Sequence, residues 1–247
     1  MSDFPCLTAP GLKDIPGLVH AFLGRIEQPA DGPPLCSHGH RDPLCHVKTT
    51  LGLDGCTITT MKQVHGDAIL DVAETRVKTA GEADAMASGT PGVFLAVQTA
   101  DCVPALVVDP VRRVCAAVHA GWRGALAGIA GKAVAHLRDH YGCDPADVRV
   151  AFGPAIGRCC FEVGPEVIAA FEKKMGETFD AYVDRKGEKG RVDLRGLVAR
   201  QLTDAGLRAG HLETVGGCTF CSEKEFFSYR RDGKTEGRQI TLAGFSA

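Results

Sequence analysis

The chain has 247 residues, of which 45% are apolar and 23% charged, and its formal net charge is −2. This composition is typical of a globular protein with a substantial core, and the lack of a basic surplus argues against nucleic acid as a partner. The sequence contains no run of about 18 apolar residues, so we predict no membrane-spanning helix. No linker clearly divides the chain, so we expect one domain over residues 1–247.

The beginning of the chain, MSDFPCLTAPGLKDIPG, lacks the basic region and apolar core of a secretory signal peptide. The chain also has eleven cysteines, a high and odd number. Without a secretory signal, reduced thiols, metal ligands or a catalytic thiol are better interpretations than a disulfide framework. We therefore expect a cytoplasmic protein.

The first sixty residues contain a predicted strand at Val19–Leu23 and a dense group of possible metal ligands. The group lies within the segment CSHGHRDPLCH, but its spacing matches no zinc pattern. A solvated loop with incidental ligands therefore competes with a metal site. The members of the group are Cys36, His38, His40, Cys45 and His46.

A β-rich run, Cys56–Met61, leads into the segment KQVHG, which contains Gln63 and His65. A histidine between a strand end and a glycine is well placed to project into a cleft, although a packed or surface histidine has the same local sequence. Asp84 follows in a polar loop before a predicted strand at Val93–Val97. Taken alone, Asp84 is best interpreted as a solvated loop carboxylate.

The stretch Val97–Ala127 predicts two apolar strands joined by a turn, followed by a glycine-rich entry into a helix. With the turn at Asp109–Arg112, the antiparallel register places Cys102 opposite His119, with Cβ atoms about 5 Å apart. A thiol and an imidazole at that separation can share a metal ion or a proton. A slip of one residue would put them on opposite faces of the sheet.

The second half of the chain reads as alternating helices and strands. Apolar residues at helical spacing predict a helix over Arg123–Tyr141 that Gly142 ends. Its small residues favour close packing on a sheet, and its N-terminus is a candidate anion-binding site. We further predict a strand at Val148–Phe152, helices at Pro165–Met175 and Asp193–Gly206, and a solvated charged loop at Asp184–Arg191.

Two pairs of cysteines stand in this half. Cys159 and Cys160 are adjacent, and because vicinal disulfides are rare we expect both to be reduced. Cys218 and Cys221 form a C-x-x-C motif, which is either a redox pair or half of a zinc site. With no second C-x-x-C in the chain, buried structural cysteines are an equally good interpretation.

Three interpretations of the hairpin remain open on these residues alone. With His65 as third ligand, Cys102 and His119 form a set that suits catalytic zinc with a fourth position free; copper is less suited, because no methionine adjoins these residues as a weak axial ligand. Alternatively, Cys102 is a nucleophile with His119 as its base and Asp101 or Asp84 orienting the base. The third interpretation is a buried cysteine and histidine that only pack.

Several segments resemble the laccase-domain family, whose members are also called multicopper polyphenol oxidoreductases and purine nucleoside phosphorylases. They are KQVHG (62–66), ADA (83–85), TADCVPALVVDP (99–110), AAVHAGWRGALAGI (116–129), FGPAIGRCCFEVG (152–164), DLRGLVARQL (193–202) and CTFC…FFSYRRDGKTEGRQ (218–239). The resemblance covers roughly residues 58–240. The N-terminal third departs from the family, and there only Arg25, in FLGR, has a counterpart, an early arginine.

The resemblance implies an α+β fold, a single-domain four-layer α/β/β/α sandwich with mixed sheets. It implies zinc held by His65, Cys102 and His119, and phosphorolysis of adenosine, inosine, guanosine and methylthioadenosine with adenosine deamination as a further activity. The expected partners are purine nucleosides and phosphate, with no nucleic acid and no membrane, and the protein is expected to be a monomer or small homo-oligomer.

Residue type and position suggest further roles around that metal. We expect Cys102, Asp84 and Arg123 to be catalytic, with Arg123 and Arg25 holding phosphate and Asp84 orienting a ribose hydroxyl or moving a proton. Gln63 is a further candidate for substrate binding. Three other functions compete: a zinc amidase that edits UDP-muramyl peptidoglycan precursors, a copper-dependent polyphenol oxidase, and a non-enzymatic binding module stapled by zinc.

Overall fold

The computed structural model describes residues 5–25, 43–233 and 237–247. Within these ranges the strands are β1 (Cys6–Leu7), β2 (Leu18–Leu23), β3 (Thr57–Lys62), β4 (Ile69–Asp71), β5 (Thr79–Glu82), β6 (Ala85–Ser88), β7 (Val93–Thr99), β8 (Val103–Asp109), β9 (Val114–Ala120), β10 (Arg149–Phe152), β11 (Glu162–Val163), β12 (Val183–Lys186), β13 (Lys189–Val192), β14 (Leu212–Thr214) and β15 (Gln239–Phe245). The α-helices are α1 (Pro10–Lys13), α2 (Pro43–Leu51), α3 (Trp122–Ala127), α4 (Ile129–Tyr141), α5 (Pro165–Met175), α6 (Leu194–Asp204) and α7 (Tyr229–Asp232).

Two six-stranded mixed sheets form the centre of the fold. The first has the strand order β1-β2-β15-β7-β3-β5 and the second β14-β10-β8-β9-β6-β4, while β11-β13-β12 form a small separate sheet. In the first sheet β3 runs parallel to β7 and β5, and the other neighbours are antiparallel. In the second sheet β14 is parallel to β10 and β4 to β6, with antiparallel pairs between them.

The apolar residues of the central strands alternate between two layers of core. Leu106 and Val108 of β8 face the first sheet across a shared core, whereas Val103 and Val107 face a core built with α4, α5 and α6. A third cluster packs α2 on the outer side of the first sheet. The predicted α+β fold, a four-layer α/β/β/α sandwich with mixed sheets, is confirmed.

The β8–β9 hairpin forms, but its predicted register is wrong by two residues. Asp109 pairs with Val114 and Pro104 pairs with His119, so Cys102 is not directly opposite His119. The cause lies in the turn, where Asp109 Oδ1 accepts the N–H groups of residues 111 and 112 at 2.8 and 2.9 Å and Arg113 adopts a left-handed φ of 54°. Because strand side chains alternate with a period of two, this slip keeps Cys102 diagonal to His119 on the same face.

Two further predictions need correction. The helix expected over Arg123–Tyr141 is two helices, because Gly128 takes a φ of 88° and its N–H caps the carbonyls of residues 124 and 125, which ends α3. The charged loop expected at Asp184–Arg191 is a hairpin of β12 and β13. Its two-residue turn has Gly187 at a φ of 61°, and a glycine at the first central position suits such a tight turn.

Other elements agree with the sequence. Gly142 ends α4 in a left-handed conformation, α5 spans the predicted Pro165–Met175, and the Asp193 carboxylate caps α6 by accepting the N–H of Gly196 at 2.8 Å. No helix in the described part of the chain is both long and apolar enough to cross a bilayer. Of the N-terminal group of possible ligands, residues 36, 38 and 40 lie outside the described residues and residues 45 and 46 belong to α2, so both interpretations of that group, solvated loop and metal site, stay untested.

Candidate metal centre and cavity

Three side chains of types that bind metals, contributed by segments of both sheets, converge in the structure. The ligand atoms of His65, Cys102 and His119 all lie within 4.8 Å of one another. The two imidazole rings meet edge to face, with centroids 5.0 Å apart and planes at 84°. His65 follows β3 of the first sheet, Cys102 precedes β8 of the second, and His119 lies near the end of β9. The group therefore spans both sheets.

The carboxylate of Asp84 is hydrogen-bonded to both histidines of the group, to the backbone of His65 and to the ring of His119. It is fully buried and accepts the backbone N–H groups of Val64, His65 and Gly66 at 3.2, 3.0 and 2.6 Å. These bonds support a left-handed φ of 60° at His65, which is unfavourable for a residue with a Cβ. Asp84 Oδ1 also accepts a hydrogen bond from Nδ1–H of His119 at 2.7 Å, which leaves Nε2 as the ring atom free to bind a metal.

Charges inside the group favour the thiolate form of Cys102. Burial alone would raise the pKa of this thiol, but bonds and charge from His119 and His65 lower the pKa to about 7. Burial alone would lower the pKa of His119, but the bond to Asp84 and the contact with Cys102 raise the pKa to about 9. Near neutral pH the uncomplexed site therefore tends towards a thiolate beside a protonated imidazole, and a thiolate is the form that binds metal.

Gly121 leaves the space in which this group assembles. A Cβ at this position would stand 2.9 Å from Cδ2 of His65 and 3.2 Å from Sγ of Cys102. The first distance is too short for carbon–carbon contact, so a larger residue would displace a ligand. The backbone of the segment HAGWRG is thus matched to the two side chains that approach it.

Asp101, next to Cys102, ties the C-terminal segment to the site. Its backbone has a left-handed φ of 95°. Its carboxylate accepts the hydroxyl of Thr219 and the backbone N–H of Arg230, both at 2.6 Å, and its carbonyl accepts the N–H of Ile156 at 2.9 Å. Asp84 and Asp101 are the two candidates for orienting His119. Asp84 contacts the imidazole ring, whereas Asp101 binds the C-terminal segment instead.

A cavity of about 660 Å³ is lined by all three candidate ligands. This volume is in the range of small-molecule sites. Its wall combines ligand-type, aromatic and cationic side chains, and its lining residues are Met61, Gln63, His65, Gln98, Thr99, Ala100, Asp101, Cys102, His119, Trp122, Ile156, Phe161, Tyr229, Arg230 and Arg238. The side-chain amide of Gln63 donates to the carbonyl of Gln98 at 2.7 Å and accepts the N–H of Gln98 at 2.8 Å.

Three of the predicted site residues are absent from this wall. Asp84 lies behind His119 and is fully buried. Arg123 is exposed and its guanidinium lies over the ring of Trp122, 4.4 Å from the centroid. Arg25 lies over Phe227 at 4.4 Å and contacts the carboxylate of Asp232 at 3.6 Å.

Sequence reasoning did not select the arginines that do line the cavity. Arg230 and Arg238 come from the segment FFSYRRDGKTEGRQ, which served only as evidence of resemblance. The side chain of Arg230 donates to the carbonyl of Glu162 at 2.6 Å and lies 5.5 Å from the ring of Phe161. The density of arginine and aromatic residues in that segment was the signal that could have identified them.

Comparisons with known proteins support the family. The profile of the family described as multi-copper polyphenol oxidoreductase laccase matches residues 42–246. A purine nucleoside phosphorylase of Bacteroides thetaiotaomicron is 38% identical over 179 residues, covering 71% of this chain and 66% of that protein, just under two thirds. The adenosine deaminase RL5, from an unknown prokaryotic organism, is 34% identical over 201 residues, covering 77% of this chain and 76% of that protein.

A solved structure agrees with these matches along the whole chain. The crystal structure of YlmD from Geobacillus stearothermophilus superposes with a TM-score of 0.85 and 28% sequence identity, covering 100% of this chain and 98% of that one. With the profile match over most of its length, the chain belongs to the multi-copper polyphenol oxidoreductase laccase family.

Proposed function

We propose that this protein is a zinc-dependent purine nucleoside phosphorylase, acting on adenosine, inosine, guanosine and methylthioadenosine with adenosine deamination as a side activity. The observation that carries the proposal is the His65, Cys102 and His119 group facing a cavity with aromatic and arginine side chains. The names of relatives add support, since one is a purine nucleoside phosphorylase and another an adenosine deaminase.

The donor set fits zinc. Catalytic zinc is typically held by three protein ligands with one position left for water or substrate, and this group offers one sulfur and two imidazoles beside an open cavity. A carboxylate behind a histidine ligand, as Asp84 is behind His119, is the usual outer partner in such sites. Bound zinc supplies Lewis acidity and acidifies bound water towards a pKa of about 7.

The chain's own residues account for the rest of the reaction. In phosphorolysis an oxygen of dihydrogen phosphate bonds to C1′ of the ribose while the bond from C1′ to the purine nitrogen breaks, and the proton that the phosphate loses goes to that nitrogen, so the products are ribose 1-phosphate and the free purine. We assign stacking of the purine to Trp122, Phe161 and Tyr229, because large aromatic faces suit a flat base. We assign phosphate to Arg230 and Arg238, which line the cavity, in place of Arg25 and Arg123, which do not.

Two assignments follow for the remaining candidates. Asp84 is a positioning residue that fixes the ligand histidines, because its burial keeps it from substrate. Gln63 lines the cavity and is held there by its hydrogen bonds to Gln98, and we assign it to substrate binding. The single-domain organisation, cytoplasmic location and monomeric or small homo-oligomeric state stay predictions.

Replacing a ligand should remove activity. In Cys102→Ala we expect adenosine phosphorolysis to fall by more than about 100-fold, because even residues behind a metal ligand typically contribute about 10- to 100-fold. A chelator should have the same effect on the unchanged protein, reversed by zinc. Cys56→Ala, which changes a half-buried cysteine outside the cavity, should keep its activity, and full activity in Cys102→Ala would refute the proposal.

Asp84→Asn should weaken metal binding and leave the cavity intact. The amide keeps the size of the side chain but is a poorer acceptor for three N–H groups and an imidazole. We expect zinc affinity to fall by about 10- to 100-fold, with activity recovering at high zinc concentration. Competition with a fluorescent zinc chelator measures the affinity. An unchanged affinity would exclude the positioning role.

The two sets of arginines can be told apart kinetically. In Arg238→Ala we expect the KM for phosphate to rise by about tenfold or more, since a hydrogen bond to a charged group contributes roughly 1.5–3 kcal/mol. Arg123→Ala should stay within about twofold of the original value, because that side chain lies outside the cavity wall. If instead Arg123→Ala raised the KM for phosphate and Arg238→Ala did not, phosphate would bind at the start of α3.

A further inference from the structure

Four cysteines from two distant segments meet beside the cavity. Cys159 and Cys160 lie in the loop after β10, and Cys218 and Cys221 lie in the loop after β14. The Sγ atom of Cys221 is 3.4 Å from that of Cys160 and 3.9 Å from that of Cys159, and all four sulfurs lie within 4.8 Å of one another. The two cysteine pairs that the sequence presents separately therefore form one four-thiol cluster.

The spacing of the cluster matches a tetrahedral metal site. Zinc–sulfur bonds of about 2.3 Å place the sulfurs of a regular tetrahedron roughly 3.8 Å apart. The sulfur distances of 3.4 and 3.9 Å lie on both sides of that value. A disulfide, by contrast, needs sulfurs about 2.05 Å apart, and all four cysteines are free thiols in the structure.

The chain holds these thiols together by bonds that do not involve sulfur. Thr219 N–H donates to the carbonyl of Ala155 at 3.1 Å, which joins the two segments. The guanidinium of Arg231 donates to the carbonyls of Thr219, Phe220 and Phe226 at 2.9, 3.1 and 2.9 Å, which fixes the loop that carries Cys218 and Cys221.

A backbone group also points at the sulfurs. The N–H of Gly157 donates to Sγ of Cys218 at 3.2 Å. A Cβ at Gly157 would lie 3.1 Å from Sγ of Cys159 and 3.3 Å from Cβ of Cys218, so the glycine allows this close approach. Hydrogen bonds from N–H groups favour a charged acceptor over a neutral one, as required of a thiolate ligand.

We propose that Cys159, Cys160, Cys218 and Cys221 bind one zinc ion in a second, structural site of this protein. Four thiolates complete the coordination of zinc and leave no position for water or substrate, which distinguishes this site from the three-ligand group. Soft thiolate ligands select zinc over hard cations such as magnesium. Binding releases protons from the thiols to solvent and needs no oxidant.

Zinc in this second site would crosslink two segments of the cavity wall. Phe161 follows Cys160 and lines the cavity, and Thr219, inside the C-x-x-C motif, donates to Asp101 beside Cys102. Zinc in the four-thiol cluster would link the loop after β10 to the C-terminal segment that supplies Tyr229 and Arg230. The zinc would add to the hydrogen bonds from Thr219 that already join the two segments.

Metal content and X-ray absorption at the zinc edge test this site apart from the proposed enzymatic activity. Protein produced with zinc and purified under reducing conditions should hold two zinc ions per chain. Cys102→Ala should keep one, surrounded by four sulfurs at about 2.3 Å and no nitrogen at 2.0–2.1 Å. Cys221→Ser, at an exposed position, should lose this ion, whereas Cys56→Ser should keep both.

The contrary results are equally definite. A zinc-free Cys102→Ala protein with a native circular dichroism spectrum, or nitrogen among the ligands of its remaining zinc, would overturn the second site. So would a Cys160–Cys221 disulfide found by mass spectrometry in the purified protein. If only the three-ligand group fails to bind, the unchanged protein holds one zinc with four sulfurs, and the proposed phosphorylase fails while this inference stands.

Discussion

The buried carboxylate of Asp84 is the interaction on which the site depends. An ionised carboxylate without access to water is costly unless its oxygens are hydrogen-bonded, and here three backbone N–H groups and an imidazole meet that need. The same bonds fix the conformation of the segment at 64–66 and the orientation of His119. One desolvated carboxylate therefore positions two candidate metal ligands that come from different sheets.

The sandwich provides the setting for that carboxylate. Asp84 immediately precedes β6, the neighbour of β9, so the strand that carries His119 is paired beside it. The left-handed backbone at His65 and Asp101 lies where the chain enters the site. Such conformations cost of order 1–3 kcal/mol each, which the surrounding core and hydrogen bonds must offset. The backbone strain is concentrated beside the candidate ligand side chains.

Much of this arrangement was predictable because strand periodicity is robust. Cys102 and His119 share a face under the predicted register and under the observed one, since the slip is two residues. The α+β sandwich was inferred from family resemblance, and the apolar runs agree with strands buried on both faces. The break at Gly128 was not predicted, because a glycine inside a periodic helix pattern is tolerated often enough to hide a cap.

What was missed depends on contacts between distant segments. Asp84 is a candidate from the sequence, but no side-chain pattern reveals its hydrogen bonds to backbone N–H groups. The choice between Arg123 and Arg238 depends on which one the folded chain brings to the cavity, and Arg123 instead lies on Trp122. Cys160 and Cys221 meet only because two loops are bonded together, so neither pair alone indicates a four-thiol cluster.

We propose above all that His65, Cys102 and His119 bind zinc with one coordination position open to the cavity. Anomalous diffraction from crystals of the protein, recorded on both sides of the zinc and copper edges, tests it most directly. We expect a zinc signal within about 2.0–2.3 Å of the two imidazole nitrogens and the thiolate, with no fourth protein ligand. A copper signal there, a fourth protein ligand, or no signal in zinc-supplied crystals would contradict it.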